Sequence, residues 1–189
     1  MAATPVLDLP LLTAESAEPE AAALLRGAEE KIGFVPNMYG YMANLPELLE
    51  AYLGAYAGFR AGAGFTPPEQ EVVFLAISAV NGCDYCVAAH SMLAEKVSKL
   101  PTESLAALRA GRPLPDPKLE ALARFTRLMV TSRGMPEKAA VDAFLAAGYS
   151  ERHVLGIILA IGVKTFSNYT NHLAGTALDP AFAGHRVAA

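Results

Sequence analysis

The chain holds only two cysteines, three residues apart, with a histidine four positions on: Cys83, Cys86 and His90 in the run Cys-Asp-Tyr-Cys-Val-Ala-Ala-His. On a helix, positions i, i+3 and i+7 share one face, because 3.6 residues make a turn. Two thiols and an imidazole then meet on one surface. A cysteine attacks as its thiolate, and a thiol of ordinary pKa is only a few per cent ionised at neutral pH. Two devices lower that pKa, at different sulfurs. Cys83 falls at the N-terminus of the helix, where unpaired N–H groups favour an anion. Cys86 lies one turn before His90, which can take its proton. The spacing leaves open which sulfur attacks and which resolves.

Glu71 is the third element. If the chain folds back at Asn81-Gly82, the antiparallel neighbour of Glu71 lies near residues 90 to 92, which sets a carboxylate beside His90. Such a carboxylate fixes the imidazole tautomer and raises its basicity, making a Glu-His-Cys relay. Replacing Glu71 with Gln is then expected to move the pH dependence of thiol alkylation upward and to change stability little. The candidate catalytic residues are Glu71, Cys83, Cys86 and His90. A competing reading gives the same thiols to zinc, but a closed structural site takes four ligands and the sequence has no second Cys/His pair. No metal or cofactor is expected, and a zinc-binding or structural helical module stands as the non-enzymatic alternative. His153, His172 and His185 are assigned to the surface or an interface.

The elements that position these residues read as helices. Residues 1 to 18 carry two prolines and no sustained periodicity, which reads as an extended arm lying on the body of the protein or on a neighbour. Pro19 opens a helix to about Ile32, stopped by Gly33, and the apolar run from Phe34 leads into a short helix before Pro46. Pro46 begins another, to about Ala61. Thr66-Pro67-Pro68-Glu69 is a capping box with proline at the first helical position, and the helix it opens is apolar on nearly all sides, hence central. Asn81-Gly82 interrupts it, and the next helix carries the cysteines to about Ser98. A short helix after Pro101, a linker at residues 111–115, helices at 116–132 and 136–147, and a last strong helix from the Ser150 cap toward His172 complete the chain. No stretch alternates as a strand does, so the fold class is all-α, with residues 19–189 as one helical domain. One echo suggests an internal duplication of a helical hairpin: Thr66 aligns with Ser150, and Cys83-Asp84-Tyr85-Cys86 with Ser167-Asn168-Tyr169-Thr170.

Composition bounds the partners. A chain of 189 residues can bury its own core, and a net charge of −4 without a Lys/Arg cluster gives no footprint for nucleic acid or an anionic membrane. The apolar runs Val72 to Val80 and Val154 to Val163 fall short of the ~20 residues that span a bilayer. The first residues lack the basic and long apolar regions of a secretory signal, so a cytoplasmic location is expected. With 53% apolar and only 18% charged residues, the chain has less polar surface than a monomer of this size usually shows, which points to a homo-oligomer.

Glu71, eleven intervening residues, Cys83-x-x-Cys86, three intervening residues and His90 form a pattern that resembles the AhpD-like alkylhydroperoxidases of the carboxymuconolactone decarboxylase superfamily. Gly33-Phe34-Val35-Pro36-Asn37 and the ending from Asn171-His172 to Leu178-Asp179-Pro180 look like the branch often labelled peroxidase-related enzymes. The resemblance implies an AhpD-like helical fold assembled as trimers or a hexamer. It implies a thiol-dependent alkyl hydroperoxide reductase in which Cys86 meets the peroxide, Cys83 resolves it as a disulfide, and Glu71 and His90 relay protons. A dithiol reductant, lipoyl-type or thioredoxin-like, would restore the thiols. The superfamily's true decarboxylases lack the cysteine pair and are unlike this chain. Tyr85 departs from the best-known members, which place a second histidine there; a general disulfide oxidoreductase with little peroxidase activity is the alternative this raises.

Overall fold

A computed structural model describes residues 4–187, and among them the chain forms nine α-helices and a closing 3-10 turn, with no strand. The helices are α1 (Pro19–Ile32), α2 (Asn37–Met42), α3 (Pro46–Gly62), α4 (Pro67–Val80), α5 (Asp84–Lys96), α6 (Thr102–Arg109), α7 (Pro117–Thr131), α8 (Lys138–Ala146) and α9 (Glu151–Ala174); the turn spans Pro180–His185. The all-α expectation holds. No single helix among the described residues is long and apolar enough to cross a membrane.

Helix α4 is the axis of the molecule, as its composition requires. The Glu69 carboxylate accepts the Thr66 backbone N–H and hydroxyl, both at 2.9 Å, closing the capping box read from the sequence. Every residue from Glu69 to Ser78 is buried, with α5, α7 and α9 packed around the helix. Phe59, Phe74, Leu75, Ile77, Leu122 and Ile157 are fully buried among these elements. The reversal into α5 uses Gly82 in the left-handed region (φ 68) and a bond from the Cys83 N–H to the Ser78 carbonyl at 2.9 Å. Cys83 therefore occupies the N-cap of α5, and Cys86 and His90 follow on its buried face.

The proposed internal echo holds at the cap and fails in the chain path. Ser150 opens α9 with its own capping box, its N–H and hydroxyl meeting His153 Nδ1 at 3.0 and 2.8 Å. Beyond it, however, α9 runs unbroken for 24 residues, where its supposed counterpart turns back at Asn81-Gly82. A duplicated helical hairpin is therefore absent among the described residues. The physical reason is local: Thr165-Phe166 stands where Asn81-Gly82 makes the reversal, and nearby Gly162, a single glycine inside a helix, costs about 1 kcal/mol without ending it.

The arm, described from residue 4, lies on the body. The Val6 and Leu7 N–H groups both donate to the Leu173 carbonyl at 2.8 and 3.0 Å, and the Asn44 amide donates to Pro10 O at 2.9 Å. It also crosses Gly40 on α2, where a Cβ atom would stand 2.6 Å from Leu12 O and 2.7 Å from Leu11 Cδ1. Backbone cannot yield as a side-chain tip does, so Gly40→Ala is expected to cost about 1–3 kcal/mol, as overpacking does, and to lift the arm. Urea denaturation and limited proteolysis of the arm read this out; an unchanged midpoint and cleavage rate would show that this seat is not required.

Candidate active site

The helical hairpin does what the sequence predicts of it. Glu71 on α4 faces His90 on α5, with Glu71 Oε2 2.8 Å from His90 Nδ1, and both side chains are buried. The other carboxylate oxygen takes the Arg60 guanidinium from α3 at 2.5 Å and the Ser98 hydroxyl at 3.3 Å. Burial opposes ionisation of Glu71, but the hydrogen bond and charge from His90, with Arg60 beside it, hold the carboxyl below its ordinary range.

What the sequence does not announce lies on the far side of the imidazole. Lys164 of α9, fully buried, places Nζ 2.5 Å from His90 Nε2 and 4.5 Å over the face of the Phe74 ring. An ammonium can only donate, so Nε2 is the acceptor and Nδ1 carries the proton that Glu71 takes. His90 is therefore neutral: burial, and then the Lys164 charge, push it down to about 4. The proton acceptor expected next to Cys86 is thus engaged at both nitrogens.

The thiols sit at the start of α5, Cys83 at its N-cap and Cys86 in its first turn. They lie 3.7 Å apart, and neither is in a disulfide. The Asn171 amide on α9 reaches Cys86 Sγ at 3.4 Å and Cys83 Sγ at 3.6 Å. Hydrogen bonding from the Cys83 thiol lowers Cys86 to about 6 against the opposing effect of burial, with the Lys164 charge next in weight. Cys83, which donates that bond and is itself buried, is pushed up. The two sulfurs are thereby made unequal, Cys86 the thiolate and Cys83 the thiol. Because the thiolate is the reactive form, alkylation of Cys86 sits on its plateau above about pH 6 and falls below it.

Cys86, His90 and Lys164 line one cavity of about 440 Å³. Its other walls are largely apolar and aromatic, among them Met38, Tyr39, Tyr52, Tyr56, Tyr85 and Phe182. The segment from Phe34 thus closes the chain's own thiol pocket. Tyr85 is not a free base: its hydroxyl donates to the Asp179 carboxylate, which also accepts the Asn37 N–H at 3.1 Å at the start of α2. Burial, with that negative charge next, raises the phenol further. Of the remaining histidines, His153 caps α9 and packs 4.7 Å from the Phe65 ring, and His185 pairs with Glu95 at 2.7 Å.

Residues 46–128 match the carboxymuconolactone decarboxylase family. The chain superposes on a peroxidase-related protein with an alkylhydroperoxidase AhpD core from Ralstonia eutropha JMP134 (TM-score 0.80, 21% identity, 95% of this chain and 96% of that one). A peroxidase-related protein from Silicibacter sp. TM1040 matches with TM-score 0.74 and 24% identity over 96% and 95%. The fold is AhpD-like. The debrominase Bmp8 has the same fold (TM-score 0.71, 22% identity, 88% of this chain and 90% of that one). No curated protein matches the chain by sequence.

The family segment contains Arg60, Glu71, both cysteines and His90; Lys164 and Asn171 lie outside it. A buried lysine has one sequence signal, a lone cation inside the apolar run from Val154 to Phe166. Glu71 also differs from its expectation in one respect. Gln at this position leaves the Arg60 guanidinium without its counter-charge inside the AhpD-like core, so a loss of stability is the outcome to expect. Glu71→Gln is expected to lower unfolding free energy at pH 7 by about 3 kcal/mol, the low end for breaking a buried pair because Arg60 is partly exposed. Urea titration of parent and variant measures it, and a difference under about 1 kcal/mol, the size of a surface pair, would show the pair to be dispensable.

Proposed function

We propose that the protein is a thiol-dependent alkyl hydroperoxide reductase. One observation carries the reading: a cysteine held as thiolate, Cys86, opens onto an apolar cavity with a second thiol in reach behind it. The thiolate attacks the terminal peroxide oxygen, the O–O bond breaks, and an alcohol leaves Cys86 as the sulfenic acid. The Cys83 thiol then displaces water from it, forming the disulfide. Two thiols and one hydroperoxide thus give a disulfide, an alcohol and water. A dithiol reductant, lipoyl-type or thioredoxin-like, restores the pair. Glu71 and His90 hold the proton-bearing groups in register.

Reduced protein treated with one equivalent of an organic hydroperoxide is expected to lose both titratable thiols as the peroxide is consumed. If both thiols persist while the peroxide survives, the peroxidase reading fails. Exchange with a lipoyl disulfide would then leave a general disulfide oxidoreductase. The aromatic lining favours one second reading. The likeness to a debrominase crystallised, as a cysteine-to-alanine variant, with 2,3,4-tribromopyrrole suggests reductive dehalogenation, in which the same two thiols supply two electrons and bromide leaves. Bromide release from that compound distinguishes it.

The reading includes a homo-oligomer, a trimer or hexamer. Leu155, Ile158, Leu159, Tyr169 and Leu173 stand exposed along α9, next to Val6 and Leu7 of the arm. A row of this length on one helix is an apolar face without a partner in the single chain. Light scattering at micromolar concentration is expected to give a multiple of the 19.9 kDa chain mass; a mass of one chain would sink this part of the proposal.

A further inference from the structure

Resting on the peroxidase reading, the structure assigns to Lys164 the role of proton donor to the departing alkoxide: we infer that it is a catalytic residue of the cavity, acting on the oxygen that leaves rather than on the sulfur that attacks. Cleaving the O–O bond sends an electron pair to the alkoxide oxygen, which needs a proton where the bond breaks. The candidates are the acidic groups that face Cys86 across the cavity. Tyr56 accepts from Arg60 at 2.6 Å and Tyr85 is bound to Asp179. Burial raises Tyr39, Tyr52, Tyr56 and Tyr85 alike. His90 holds its one proton toward Glu71 and offers Nε2 as acceptor. Arg60 is held by Glu71 and does not give up a proton at working pH. Lys31 also lines the cavity but is exposed to solvent at its edge, so Lys164 is the one buried lining group with a proton to give and a weakened hold on it, since burial lowers it.

Charge bookkeeping times the transfer. Arg60 and Glu71 neutralise each other and His90 is neutral, so the ammonium of Lys164 is balanced by the Cys86 thiolate. When the thiolate becomes a sulfenic acid that balance is lost, and an uncompensated ammonium remains in a dry site. Its proton goes to the alkoxide. The neutral amine then takes the Cys83 proton as that sulfur attacks and passes it to the hydroxide leaving Cys86. A dithiol reductant returns two protons, one to Cys83 and one to Lys164, and the cycle closes.

The test varies the leaving group. With Lys164→Met, oxidation of Cys86 by tert-butyl hydroperoxide, whose alkoxide is a strong base, is expected to slow by roughly 100-fold or more, as loss of a general acid does. Oxidation by peracetic acid, whose acetate leaves without a proton, should slow only a few-fold. The alkylation midpoint should move up from about 6, because the positive neighbour of the thiolate is gone. Both oxidation rates are therefore compared on the plateau above the shifted midpoint. Lys164→Arg keeps the charge without a transferable proton; it should keep the parent alkylation profile yet show the same leaving-group selectivity, and it serves if the methionine variant does not fold. Equal slowing for both oxidants, or parent rates for both, in either variant overturns the assignment to Lys164. A parent protein inert to both oxidants would instead overturn the peroxidase reading itself.

Discussion

The structure depends on how two positive and two negative groups are kept inside an apolar bundle. Moving one ion out of water costs several kcal/mol even after relaxation, so a buried ammonium or carboxylate persists only beside its counter-charge and a full set of hydrogen bonds. Glu71 meets that demand with Arg60, His90 and Ser98. Lys164 meets it with His90 Nε2, the face of Phe74 and the thiolate of Cys86. The neutral imidazole joins the two pairs, accepting from one and donating to the other. Removing a charged member strands its counter-charge on another helix, because Arg60 and Glu71 come from α3 and α4, and Cys86 and Lys164 from α5 and α9. Packing of the bundle and poise of the thiol are the same interaction seen from two sides.

Local sequence explains why these four helices present their charges at one depth. The Thr66–Glu69 box sets where α4 begins, and Gly82 sets where it reverses; together they fix Glu71 opposite His90. Lys118 reaches the same Glu69 from α7 at 3.1 Å, so the cap of the central helix is tied to the layer behind it. At the other end, Asp179 bridges the start of α2 and the hydroxyl of Tyr85. The Asn37 and Asp179 segments, far apart in sequence, thus meet beside the thiol helix and close the cavity that Cys86 faces.

Local signals made the helices legible: Pro19, Pro46 and Pro67 at first turns, Gly33 and Gly82 in left-handed conformations, Thr66 and Ser150 at caps. The placement of Glu71 against His90 was legible for the same reason, since one short reversal fixes an antiparallel register. Lys164 was not. Its role depends on the angle at which α9 crosses α4 and α5, and helix crossing is decided by packing at many positions rather than by a motif. The supposed hairpin echo failed on a related point, since similar apolar composition does not specify a turn; the Asn-Gly pair does. The closing turn at Pro180–His185 also escaped notice, being too short to show a period.

Tyr85 and Lys164 make sense together. A histidine before the second cysteine would offer a proton acceptor from α5 itself, one residue from the sulfur. Here that position is committed to holding Asp179, and burial beside a carboxylate moves its phenol away from any use as a base. The positive charge near the sulfur comes instead from across the bundle, on a side chain long enough to reach from α9. A lysine suits that task because its charge remains variable when buried, where an arginine's does not. The consequence is a sulfur whose ionisation, favoured first by the Cys83 hydrogen bond, also depends on the packing of α9 against α5. Whatever shifts that packing, such as the arm bound to Leu173 or a neighbour covering the exposed face of α9, acts on the thiol through the distance between Lys164 and Cys86.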